Sequence, residues 1–164
     1  MLNPKLEAAL NNQLHNELYS AHLYLSMAAY FESENLKGFA HWMRVQYSEE
    51  VSHAMRLFDY INDRNGRVVL RAIDQPPAEF ESVQAVIEQT LEHERHVTAM
   101  IEDLYREAQA QKDYATHVLL EWFIEEQVEE EKSALELVEN LRRIGDDGTG
   151  LLFLDARLAE RKAE

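Results

Sequence analysis

Residues 65–81 read NGRVVLRAIDQPPAEFE. The stretch opens on an Asn-Gly stop signal, runs through the β-favouring Val68-Val69-Leu70 and ends past Pro76-Pro77, with no helical periodicity. A connection of this length is unusual inside a compact domain unless it has work to do. The sequence on either side explains it. Upstream, Asn3 and Pro4 cap and start a helix expected over about 4–32, marked by Leu6, Leu10, Leu14, Leu18, Ala21, Leu25 and Ala28 at steps of three and four. A second helix is expected over about 36–64. Downstream, helices are expected over about 82–111 and 114–144, the last ending at Gly145. Ser33-Glu34-Asn35 and Lys112-Asp113 are short connections, so the helices they join are antiparallel neighbours. The long stretch traverses the bundle and lets the second and third helices run parallel. The expected fold is all-α: one domain over 1–164, a four-helix bundle with one long crossover. The apolar tail GLLFLDARL at 150–158 adds a short C-terminal fifth helix at about 149–161.

Composition narrows the function. There is no cysteine, so neither a disulfide framework nor thiolate chemistry is available. The chain has 31 acidic against 16 basic residues and a net charge of −15. Such a surface repels a phosphate backbone, so nucleic acid is not the expected partner. No apolar run suggests a signal or a membrane segment, and a cytoplasmic protein without membrane contact is expected. Acidity serves solubility and also attracts cations; composition does not choose between the two.

The polar interruptions of the apolar stripes do choose. YSEEVSHAM at 47–55 sets Glu50 and His53 one turn apart on a face shared with Phe39, Met43, Leu57 and Ile61. The first helix has Glu17 between Leu14 and Ala21, the third has Glu94 between Leu91 and Val97, and the fourth has Gln127 and Glu130 between Phe123 and Ala134. Each lies near the midpoint of its helix, and helices of equal length pack level at their midpoints. Four carboxylates and one imidazole therefore meet in one layer, with no Lys or Arg at the matching central positions. Buried unpaired carboxylates cost several kcal/mol each, and divalent cations are their ordinary remedy. Singly, a Glu in a stripe is a boundary residue and a His a bonded core residue. Together they point to a metal site.

These residues resemble the ferritins, most closely the bacterial non-haem ferritins. The resemblance runs over the whole chain and rests on NELYSAHLYL at 16–25, YSEEVSHAM at 47–55, EHE at 92–94 and EEQVEEE at 125–131. It implies that Glu17, Glu50 and His53 hold a first iron and that Glu50, Glu94 and Glu130 hold a second, with Glu50 as the bridge. The ferritin-like di-iron pattern has Glu-x-x-His on two helices. Here the fourth helix has Gln127 and Glu130 instead, and Gln127 stands beside the second iron as a hydrogen-bonding neighbour. Tyr24 and Trp122 match aromatic neighbours of the centre. Glu49, Glu126, Glu129 and Glu130 match a third iron site on the way to the interior; otherwise they read as a solvated acidic face. Haem-binding relatives carry a Met just before the second-helix His, where Val51-Ser52 stand here, so no haem is expected.

The resemblance further implies ferroxidase activity, with dioxygen or hydrogen peroxide oxidising Fe(II), and storage as ferric mineral in a hollow homo-oligomeric shell of 24 subunits. Leu151, Leu152, Phe153, Leu154 and Leu158 would then pack near a symmetry axis, or else cover one end of their own bundle. Asp113, His117 and Glu121, at steps of four, are candidates to line an inlet for iron. Two other readings compete: a di-iron oxidase or peroxidase acting on a small molecule, and a non-catalytic structural subunit of a mixed shell. The second expects the central carboxylates to be lost, and they are present.

Overall fold

The computed structural model describes residues 2–162 and folds them into α1 (Pro4–Ser33), α2 (Lys37–Asp63), α3 (Val83–Ala110), α4 (Tyr114–Ile144) and α5 (Gly148–Leu158). The caps follow the sequence signals. Asn3, Ser82, Asp113 and Asp147 each accept a backbone N–H in the first turn of α1, α3, α4 and α5. Three helix ends share one hydrogen-bond pattern: Leu36 N–H to Phe31 O, Gly66 N–H to Ile61 O and Asp113 N–H to Ala108 O, at 2.9–3.0 Å. The residue before each donor, Asn35, Asn65 or Lys112, is left-handed, with φ of 55–60°. At the end of α4 the left-handed residue is Gly145, φ 56°, where a side chain would be strained.

Cross-helix bonds give the directions. Lys5 at the start of α1 pairs with Glu107 at the end of α3, and Thr90 of α3 meets Met27 of α1, so α1 and α3 are antiparallel. Arg64 at the end of α2 pairs with Asp113 before α4, and Gln46 of α2 bonds Glu130 of α4, so α2 and α4 are antiparallel too. Phe31 near the end of α1 packs on Phe39 near the start of α2, and Glu17 faces His53, so α1 and α2 are also antiparallel and α2 and α3 run parallel. The crossover that permits this climbs the outside of α1. Asn11 bonds Arg67 O and Val69 N, Ser26 bonds Pro77 O, and Phe80 packs edge-on against Tyr30.

Helix α5 packs across the start of α2. The residue before α2, Leu36, has no capping side chain. Asp155 of α5 supplies the missing acceptor, taking the Phe39 N–H at 2.9 Å. The close approach needs Gly38, where a Cβ would stand 1.6 Å from the Asp155 carbonyl oxygen. Leu154 and Leu158 bury into the bundle, while Leu152 and Phe153 stay exposed at 65% and 68%. The apolar tail thus divides between its own bundle and the outside. It leaves helical geometry after Leu158, short of residue 161, and the chain beyond turns back toward α2.

The bundle has two apolar cores rather than one. The first gathers Met27, Phe31, Phe39, Met43, Ile87 and Val138; the second gathers Leu6, Leu10, Leu57, Ile61, Ile101 and Phe123. Between them lies the polar layer. One side of the square also stands open. No Cα of α2 comes within 8 Å of a Cα of α4 among the described residues, and polar side chains span that seam.

Candidate metal centre

Glu17, Glu50, Glu94, Gln127 and Glu130 are all buried at the middle of their helices, as are His53 and Tyr24. Glu17, Glu50 and His53 each direct one donor atom to a common point, all within 4.8 Å of one another. His53 Nδ1 lies 3.6 Å from Glu50 Oε2 and 4.0 Å from Glu17 Oε2. Those separations are too long for hydrogen bonds. They suit donors arranged around one ion, since ligand atoms each about 2.1 Å from a metal stand roughly 3–4 Å apart. The three atoms have no hydrogen-bond partner among the described residues. An orphaned buried polar atom costs about 1–3 kcal/mol, and a single divalent cation would satisfy all three.

The other members of the layer are held by neighbours. Glu17 Oε1 accepts from Gln13 Nε2 at 2.7 Å. Glu94 accepts from the Tyr24 hydroxyl and from Gln127 Nε2 at 3.2 Å. Glu130 Oε2 accepts from Gln46 Nε2 at 2.8 Å. The edges of Trp122 and Phe123 flank the His53 ring, and Arg56 covers the Trp122 face, 4.0 Å from its centroid. Glu50, Glu94 and Glu130 are not drawn together as tightly as the first three.

The layer is electrostatically costly. Burial, then the charges of Glu17 and Glu94, push Glu50 well above the ordinary carboxylate range. Burial raises Glu94 to about 7 against the pull of the Tyr24 and Gln127 hydrogen bonds. Burial and Glu94 raise Glu130 to about 8. Burial and the same carboxylates hold the Tyr24 hydroxyl protonated. Each shift disfavours negative charge, and a bound cation reverses it.

The second acidic group opens onto the α2–α4 seam. Glu49, Ser52, His53, Glu126, Glu129 and Glu130 line a cavity there. Glu126 Oε2 lies 3.9 Å from His53 Nε2, and exposed Glu129 lies 3.6 Å from Lys132 Nζ. Besides exposed Lys132, a second cation reaches this group from beyond α5: Arg161 pairs with Glu49 at 2.7 Å. Asp113 is committed elsewhere, gripped by the Arg64 guanidinium, which helps lower it to about 2, and capping Thr116. His117 stacks on Tyr105.

Sequence reasoning missed the supporting amides. Gln13 stands four residues before Glu17, and Gln46 four before Glu50 and across from Glu130. A glutamine one turn before a stripe carboxylate is the signal that could have found them.

The fold and this layer define a helical-bundle protein with a buried carboxylate–imidazole centre. The ferritin-like domain matches residues 7–144. A bacterial non-heme ferritin of Bacteroides fragilis is 43% identical over 161 residues, covering 98% of this chain and 100% of its own. One from Staphylococcus epidermidis is 42% identical, covering 98% and 97%. Among solved structures, the open-pore ferritin of Archaeoglobus fulgidus superposes with a TM-score of 0.97 at 51% identity, covering 99% and 100%. The chain belongs to the ferritin family, among relatives named bacterial non-heme ferritins.

Proposed function

We propose that this chain stores iron and oxidises it on the way in, acting as a ferroxidase on Fe(II). The observation that carries the reading is the triad Glu17, Glu50 and His53, whose buried, unpartnered donor atoms face one point. Carboxylate and imidazole are ordinary ligands of divalent iron. Glu94 and Glu130, with Glu50 shared, would hold a second Fe(II), and two such ions together can deliver two electrons to dioxygen or hydrogen peroxide.

The protein's own part is positioning. Gln13 fixes Glu17, Gln46 fixes Glu130, and Tyr24 with Gln127 fixes Glu94. The raised carboxyls carry protons that leave as a cation enters. Gln127 is a weak donor where a second histidine would grip, so the oxidised product is free to move on. Glu49, Glu126 and Glu129 continue the acidic path along the seam and would hold a third iron in passage. Storage requires a closed cavity, and a 24-subunit homo-oligomeric shell is the assembly proposed. Exposed Leu152 and Phe153 support it as an apolar face available to another copy. A cytoplasmic setting, where iron stays reduced, suits the substrate.

His53→Ala tests the reading. It should slow the rapid phase of Fe(II) oxidation in stopped-flow absorbance while leaving the assembly's size unchanged. An unaltered rapid phase would show that the chemistry lies elsewhere.

A further inference from the structure

Among the described residues, the cavity between α2 and α4 is lined by one guanidinium, and it comes from an unexpected place. Beyond α5 the chain turns back over α2, and the Arg161 backbone carbonyl accepts from His41 Nε2 at 2.7 Å. That bond anchors the segment. The side chain then crosses the face of Trp42, its guanidinium carbon 4.5 Å from the ring centroid, and Nη2 donates to Glu49 Oε2 at 2.7 Å. The pair is mostly buried, with side-chain exposures of 22% and 13%. Nη1 is buried and has no hydrogen-bond partner among the described residues. The charge also reaches Glu130, where it opposes the upward push of burial.

A guanidinium offers five N–H donors, and each one buried without an acceptor is costly. This one stacks on an aromatic ring, pairs with one carboxylate and leaves its second nitrogen unmatched in an acidic cavity. It lines the cavity that His53 of the triad also lines. We propose that Arg161 is a tethered competitor for divalent cations at the mouth of the seam. It rests on Glu49 and must be displaced before Glu49, Glu126 and Glu129 can take an ion. The cost of displacement makes the mouth a weak site by construction. A cation leaving the triad along the seam is held briefly and released when the guanidinium returns. The inference rests on the iron-handling reading of the centre, and concerns only the ease with which the second group binds.

Zn(II), which does not change oxidation state, is the probe. Calorimetric titration of the parent, Arg161→Gln and Glu50→Gln proteins separates the two groups, because Glu50→Gln removes the central phase and leaves the mouth phase. Arg161→Gln should bind Zn(II) at the mouth about threefold to tenfold tighter, the yield of removing one partly screened ion pair, while the central phase, which Arg161 reaches only through its charge on Glu130, does not tighten with it. Mouth affinity that is unchanged or weaker, or no mouth phase at all, overturns the proposal and leaves the central reading standing. Loss of the central phase from the parent overturns that reading instead. A second measurement does not depend on the Arg161 variant folding well. In a Trp122→Phe protein, Trp42 is the sole tryptophan, and its emission should change as Zn(II) saturates the mouth and the guanidinium leaves the ring. Emission that stays constant through saturation also overturns the proposal.

Discussion

Substituting Glu130 by Gln should make the metal-free protein more stable and the metal-bound protein weaker. Glu130 titrates near 8 instead of 4.5 because it is buried beside Glu94. The sign follows from linkage. The folded state keeps a proton on Glu130 that the unfolded state has lost, so stability falls as pH rises from the unfolded value toward the folded one. At about 1.4 kcal/mol per pH unit of unequal protonation, Glu130 alone removes on the order of 3 kcal/mol between about pH 5 and pH 8. The amide is nearly isosteric, stays neutral, and its carbonyl still accepts from Gln46 Nε2. For a chain of this size, each kcal/mol moves Tm by roughly 2–4 °C. After chelator treatment, Glu130→Gln should therefore melt roughly 6–12 °C above the parent near pH 8, and little above it near pH 5. The same substitution should weaken Zn(II) binding in calorimetry. A variant that is no more stable than the parent near pH 8, with the same pH slope, would refute the reasoning. Glu130 would then be a structural hydrogen-bonding residue that carries no stored charge cost.

Related outcomes follow from the same layer and its supports. Saturating Zn(II) should raise Tm more near pH 8 than near pH 6, because at the lower pH the ion must first displace protons from Glu130 and Glu94, raised to about 8 and about 7, and from Glu50, which is raised too; an equal rise at both values would count against binding in this layer. Gly38→Ala should cost about 1–3 kcal/mol, since its Cβ drives the Asp155 carbonyl away and with it the Asp155 cap on Phe39. Limited proteolysis should then cut the chain after α4 sooner than in the parent, and an unchanged cleavage rate would show that α5 is not docked through this contact. Replacing Leu152 and Phe153 together by Ser should shift sedimentation toward smaller species while the monomer's helical circular dichroism is kept; an unchanged sedimentation profile would remove α5 from the proposed interface.

The helices were legible because their signals are local. Asn3-Pro4, Asn65-Gly66 and Gly145 punctuate long runs with an unbroken apolar period, and capping chemistry acts within a few residues. The crossover was legible from its length and its two prolines. The layer was legible because burying Glu17, Glu50, His53, Glu94 and Glu130 at matching heights is costly, and cost leaves a pattern in sequence. Arg161 was not legible. It lies beyond the last helix, and its partner Glu49 is 112 residues away, so no helical spacing links the two. The capping of α2 by Asp155 was hidden for the same reason: a cap borrowed from another helix has no local signature. Asp113 is a candidate inlet residue by its spacing with His117 and Glu121, and that spacing gave no sign that it also caps α4 and pairs with Arg64.

Aerobic loading of the assembled protein with excess Fe(II), followed by counting iron retained after gel filtration, tests the central claim most directly. A storage shell with a working centre keeps ferric iron far beyond the few ions that its side chains can ligate, as particles of high scattering density. Uptake that stops at about two irons per chain, with no mineral, would contradict storage and identify the buried layer as the centre of a small-molecule oxidase.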